Sequence, residues 1–119
     1  MADGPEPTTQ WLRGVLDLCL LASVAREPLY GYEMTSHLAA AGLDAVAEGS
    51  IYPALARLVR AGLVEGFLRE GSGGPPRKYY RLTSPGAVHL RTRSGEWREF
   101  VGAVGAVLDT GMVTGGRDG

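Results

Sequence analysis

The sequence has a single cysteine, Cys19, so an intrachain disulfide and a cysteine-built zinc cage are both excluded. It lies in an apolar stretch and reads as a small buried hydrophobe. Long hydrophobic runs are also missing. The longest, Val15 to Ala25, is interrupted by Asp17 and falls short of the roughly 20 residues a membrane-spanning helix needs. No signal-peptide pattern opens the chain. Residues 1–10 are polar, with Pro5 and Pro7, and read as a disordered leader, so a cytoplasmic location is expected by exclusion. There are two histidines, His37 and His89, without a ligand-spaced partner, and no metal site is expected. No Ser/His/Asp set or carboxylate pair emerges. The Gly71 to Gly74 run falls between two strand-like segments, so it is not a phosphate-binding loop opening a helix. Neither enzymatic activity nor a cofactor is expected.

What is present is enough apolar residue for one domain: 45% of 119 positions. A core of this size is thin, and oligomerisation is a common remedy. Leu12, Val15, Leu16, Cys19, Leu20 and Val24 recur at three- and four-residue steps and predict a first helix from Trp11 to Ala25, ended by Pro28. A second helix spans Gly31 to Ala41, with Gly42 as its stop. A third starts at Ser50 as N-cap, with Pro53 in its first turn; Ile51, Leu55, Leu58 and Val59 form its inward stripe. Leu63 to Arg69 and Lys78 to Leu82 read as two strands around a Gly/Pro-rich tip. Thr83 caps a last helix running to about Thr110, with Ser94-Gly95 as a candidate break.

This order predicts a mainly α fold with a small β-hairpin (α+β), a winged helix-turn-helix followed by a long C-terminal dimerisation helix. The expected divisions are a leader at 1–10, a winged-helix domain at 11–83, a dimerisation helix at 84–114 and a disordered tail at 115–119. In that arrangement the third helix is placed to enter a DNA major groove and the hairpin projects beside it.

Charge follows the same division. The chain carries a net charge of −1 and a pI near 6.1, which by themselves do not suggest a nucleic-acid binder. From Gly49 to Thr83, however, six basic residues (Arg57, Arg60, Arg69, Arg77, Lys78, Arg81) stand against Glu65 and Glu70, a local net of +4 against −5 for the remainder. Basic side chains concentrated on a reading helix and wing are suited to phosphate neutralisation, whose counterion release makes binding salt-dependent. An ordinary solvated arginine face is the alternative.

Three segments carry a family resemblance. Tyr30-Gly31-Tyr32-Glu33-Met34 is similar to the "HGYEI" opening of the second helix in PadR-like regulators. Glu48-Gly49-Ser50-Ile51-Tyr52-Pro53-Ala54-Leu55, followed by Arg57-Leu58 and Ala61-Gly62-Leu63, resembles their "EGTLYPLLRRLEREGL" segment. Gly73-Gly74-Pro75-Pro76-Arg77-Lys78-Tyr79-Tyr80-Arg81-Leu82-Thr83 resembles their "GGPPRKYYRLT" wing, and Gly86 matches the glycine of the following "TxxG". The match covers about residues 11–100. It implies a homodimer formed through the last helix, addressing a roughly palindromic double-stranded DNA operator, usually as a repressor. Some members of the family respond to small aromatic compounds. Tyr30 stands where the family often has His, and the short last helix points to the compact subgroup.

The DNA-contacting candidates are Ser50, Tyr52, Arg57, Arg60, Arg77, Lys78, Tyr80 and Arg81. Tyr79 and Tyr80 alternate along a strand, so only one of them faces inward. Gly31 and Tyr32 read as structural, a close helix approach and a core aromatic. Trp97, Phe100, Val101, Val104, Val107 and Leu108 form an apolar seam, the candidate dimer interface. For Trp97 two roles stand side by side: a buried interface anchor, or a platform stacking on a flat aromatic ligand across the dimer axis, as the resemblance implies. Trp11 either lines that space or packs on the seam. Two other functions compete with a DNA-binding regulator: a winged-helix protein-interaction module that does not bind DNA, and a small-molecule carrier.

Overall fold

A computed structural model describes residues 11, 12, 14–44, 48–71 and 73–118. The expected leader at 1–10 lies outside the described residues. The elements are α1 (Leu16–Ser23), β1 (Leu29–Tyr30), α2 (Gly31–Ala40), α3 (Glu48–Arg60), β2 (Val64–Arg69), β3 (Arg77–Leu82) and α4 (Ser84–Asp118). The fold is mainly helical with a small antiparallel sheet, as the sequence pattern predicts.

The first helix is shorter than expected. Trp11 and Leu12 belong to a separate helical turn, and the chain turns at Gly14-Val15 before α1 begins. Gly14 weakens helix propagation there, while Leu12 is still buried in the core. The three helices α1 to α3 close around Leu20, Leu21, Met34, Ile51 and Leu55, the most deeply buried large side chains. Each such burial contributes roughly 1.5–3 kcal/mol.

The inward stripe of α3 is Ile51, Ala54, Leu55 and Leu58, an i, i+3, i+4, i+7 series. Val59 is 41% exposed, contrary to expectation, because Ala54 completes the stripe in its place. The helix begins at Glu48, so Ser50 sits inside its first turn rather than capping it. Pro53 consequently lies beyond the first turn, where its missing N–H removes one helical hydrogen bond.

The sheet has a third strand that the sequence did not reveal. β1, only Leu29 and Tyr30, pairs antiparallel with β3, giving the order β1-β3-β2. In the hairpin Val64 pairs with Leu82, Phe67 with Tyr79 and Arg69 with Arg77. Tyr80 turns inward to the core and Tyr79 to the outer face.

The last helix is held by its N-terminus. The Thr83 hydroxyl donates to the Gly62 carbonyl at 2.7 Å and accepts from the Gly86 N–H at 3.0 Å, while the Thr83 N–H donates to the Leu63 carbonyl. This cap ties α4 to the turn between α3 and β2. From there α4 continues unbroken through Ser94-Gly95 to Asp118, past the ends expected for it and through most of the segment read as a disordered tail. Its 35 residues correspond to about 52 Å at 1.5 Å per residue.

Candidate nucleic-acid interface

The start of α2, the start of α3 and strand β3 converge on one cleft lined by Tyr30, Gly31, Tyr32, Tyr52, Arg77, Lys78 and Tyr80. Three elements far apart in sequence thus bring aromatic and basic side chains to a single surface. The Glu33 carboxylate accepts from the Tyr30 N–H at 3.2 Å, which fixes the entry into α2. Gly31 is buried, and a Cβ there would stand 2.6 Å from the Tyr52 hydroxyl. The glycine therefore lets the Tyr52 ring lie against the α2 N-terminus, the close approach expected of Gly31. Tyr32 is not a core aromatic: it is 59% exposed and belongs to the cleft. Position 32 falls in the first turn of α2, facing away from Met34 and Leu38, and that helical phase was the signal available in the sequence.

Arg77 is held in place by Tyr30. Its guanidinium lies 4.7 Å from the Tyr30 ring centre and donates to the Tyr30 hydroxyl at 3.0 Å. Tyrosine at position 30, the departure from the usual His, thus supplies both a face and an acceptor for an exposed cation. Lys78 leaves the opposite face of β3, with its ammonium 5.8 Å from the Tyr80 ring.

Tyr80 also lines this cleft, but it is only 8% exposed and is the core member of the tyrosine pair; burial raises its hydroxyl pKa above the ordinary value. The remaining sequence candidates do not line it. Arg57 forms an ion pair with Asp17 of α1 at 2.8 Å, and this hydrogen-bonded partner raises the guanidinium pKa further. Arg81 is paired with Glu65 at 3.0 Å and lies 4.0 Å over the Phe67 ring. Both cations are therefore already matched by carboxylates. Ser50 and Arg60 are exposed on α3.

On α4, Trp97, Phe100, Val101, Val104, Val107 and Leu108 are between 40% and 71% exposed. Trp97 and Trp11 line one cleft between α4 and the N-terminal segment, together with Asp17, His89 and Phe100, in a cavity of about 500 Å³. An adjoining apolar space of about 260 Å³ is bounded by the same two tryptophans, Leu12, Val15, Cys19 and Leu43. Burial pushes the Cys19 thiol pKa up, as suits an inert packing residue. Among the described residues no cluster of His, Cys, Asp and Glu is arranged to hold a metal ion, and no helix is long and apolar enough to cross a membrane.

The profile of the transcriptional regulator PadR-like family matches residues 20–92. The chain belongs to the PadR-like family. Its members are non-enzymatic, DNA-binding transcription regulators. A PadR-like transcriptional regulator from Bacillus cereus is 40% identical and superposes with a TM-score of 0.75, over 83% of this chain and 96% of the Bacillus protein. A PadR family regulator from Eggerthella lenta is 35% identical with a TM-score of 0.74, over 84% and 87% of the two chains. An uncharacterised Lysinibacillus sphaericus protein is 31% identical over 90 residues, covering 74% of this chain and 83% of that protein. The PadR-like motifs quoted above fall on the α2 N-terminus, on α3 and on the wing, the three elements that build the cleft.

Proposed function

We propose that this PadR-like chain acts as a homodimer that binds a pseudo-palindromic operator and represses the adjoining promoter. The observation that carries the reading is the cleft itself: Tyr32 and Tyr52 at two helix N-termini, flanked by Arg77 and Lys78, which form no ion pair among the described residues. The N-terminal residues of a reading helix are those nearest the bases, and flanking cations engage phosphate. Tyr52 presents the α3 side of this surface, with Ser50 and Arg60 exposed elsewhere on the same helix, and Arg77 and Lys78 the wing side. Arg57 and Arg81 contribute only when their carboxylate partners yield.

The dimer is supported by the α4 seam, an exposed apolar stripe that a second copy would cover. Two wings and two reading helices then address half-sites about one helical turn apart. The cleft shared by Trp11 and Trp97 opens beside this seam and suits a flat aromatic effector that releases the operator.

The test is a binding titration on the duplex upstream of the protein's own gene. Binding weakens steeply as salt rises, and Arg77→Ala with Lys78→Ala lowers the slope of log Kobs against log salt by about 1.8, two phosphates at about 0.9 each. Binding that is absent at low salt, or independent of salt, reassigns the chain to a protein-interaction role. A reporter on that promoter is expected to rise when the protein is removed. Titration with a planar aromatic dye quenches Trp fluorescence, and a response unchanged in Trp97→Phe excludes Trp97 as the stacking platform.

A further inference from the structure

The outer face of the sheet carries a row of guanidinium groups laid on aromatic rings. Arg81 covers Phe67 at 4.0 Å, Arg69 covers Tyr79 at 4.3 Å, and Arg77 covers Tyr30 at 4.7 Å. The rings themselves touch: Tyr30 meets Tyr79 edge-on at 5.3 Å, and Phe67 stacks on Tyr79 at 6.0 Å. Within this row only Arg81 has a carboxylate partner, Glu65. Among the described residues neither Arg69 nor Arg77 forms an ion pair, although Glu70 follows directly in the chain.

Arg69 and Arg77 are also directly opposed in the β2–β3 register, at the mouth of the hairpin. Directly paired residues on an antiparallel ladder share a face, with Cβ atoms roughly 5 Å apart, and two like charges in that relation destabilise the sheet. Here both cations are nonetheless exposed and laid over neighbouring rings, which restricts their rotamers; one Arg77 N–H donates to the Tyr30 hydroxyl, and among the described residues no carboxylate pairs with either guanidinium. Two guanidinium groups pre-ordered on directly paired positions can each offer N–H donors to one tetrahedral anion held between them.

We infer that Arg69 and Arg77 form a two-arginine clamp for a single phosphodiester group of the DNA flanking the reading helix. Arg69 thereby joins the binding surface, and the aromatic row is the scaffold that holds the clamp open. The inference rests on the DNA-binding reading proposed above, because the clamp's ligand is the backbone of the same duplex.

The experiment measures binding of the full-length protein to a labelled mixed-sequence duplex over a salt series, for wild type, Arg69→Ala, Arg77→Ala and the double variant. Arg98→Ala, an exposed arginine on α4, serves as control. Because the clamp holds its one phosphate only with both guanidinium groups in place, each single variant lowers the slope of log Kobs against log salt by about 0.9, and the double variant lowers it by no more than either single. Arg69→Lys, which keeps the charge but not the planar fork, recovers the slope while remaining weaker than wild type. An unchanged Arg69→Ala overturns the clamp while leaving DNA binding through Arg77 and Lys78 intact. A double variant whose slope falls by about 1.8 shows two separate phosphates and also overturns it. If wild type shows no affinity for the duplex at low salt, both the DNA-binding reading and the clamp fail.

Discussion

The Arg57 guanidinium meets the Asp17 carboxylate at 2.8 Å, joining α3 to α1 across 40 residues of chain. Asp17 also lines the cleft that holds Trp11 and Trp97. One carboxylate is thus shared between a candidate effector space and the helix proposed to face DNA. Asp17→Asn removes the charge that neutralises Arg57. Because the pair is exposed, the folded state loses little stability. Duplex affinity is expected to rise, with the salt slope steeper by about 0.9 as Arg57 becomes free to engage a phosphate. Fluorescence anisotropy across a salt series measures both. If Asp17→Asn and Asp17→Asn/Arg57→Ala bind alike, Arg57 is not the group being released.

Gly86 has a purely geometric role. A Cβ at this position would fall 2.0 Å from the Leu63 carbonyl oxygen and 2.9 Å from a Leu82 methyl group. The first of these is backbone, anchored by its hydrogen bond from the Thr83 N–H, so it cannot swing aside. Gly86→Ala must shift the start of α4 relative to the α3–β2 turn. The expected cost is on the order of 1–3 kcal/mol, read as a lower urea midpoint. Gly95→Ala, where an added Cβ meets nothing within 4 Å, is expected to gain up to about 1 kcal/mol instead. Equal effects at the two glycines would show that the cap does not lock α4.

These two cases show which features were readable in the sequence and which were not. Periodicity marked most of the core positions of α1 to α3, and β2 and β3 were legible as short strands around a Gly/Pro-rich tip, because those signals are local. The glycine of the wing-to-helix motif was visible as a residue, but its reason, a carbonyl more than twenty positions away, was not. The same holds for β1: two residues after Pro28 carry no period, and Leu29-Tyr30 becomes a strand only through pairing with Tyr79 and Tyr80. Charge clustering singled out α3 and the wing but could not say which of their cations already had carboxylate partners. The carboxylates that neutralise Arg57 and Arg81 come from α1 and from the facing strand. Only a fold can place Asp17 beside Arg57. The dismissal of Tyr32 had a different origin, since its helical phase was available and pointed to an exposed position.

Tyr80 gives a pH dependence. Its burial raises the hydroxyl pKa in the folded state above the ordinary value near 10. The folded protein therefore retains this proton more firmly than the unfolded chain. The associated stability is present in full below about pH 10 and is lost as pH climbs through the raised folded value. Cys19 acts in the same direction, from the ordinary thiol range near 9 upward. Urea midpoints measured from pH 8 to 11 are expected to fall with pH. The fall should be shallower in Tyr80→Phe, and in Cys19→Ala its onset should come later. Parallel curves for wild type and Tyr80→Phe would assign the alkaline loss to other groups.

The α4 seam permits the most direct test of assembly. Val104 lies centrally in it, between Trp97 and Phe100 on one side and Val107 and Leu108 on the other, and is 40% exposed in the single chain. A carboxylate at this position leaves the core untouched but must be desolvated when a second copy packs against the stripe. Val104→Asp is expected to weaken dimerisation at least 100-fold, about 2.7 kcal/mol, while the circular dichroism of the helices stays near wild type. Val104→Ala, which only loses apolar area, should weaken it far less. Sedimentation velocity across a protein dilution series reads the association directly. Operator affinity should fall with the dimer, because the two half-sites are then bound by separate molecules instead of one linked pair. If Val104→Asp remains dimeric at wild-type dilution while binding DNA normally, the seam is not the interface and the apolar stripe must have another occupant.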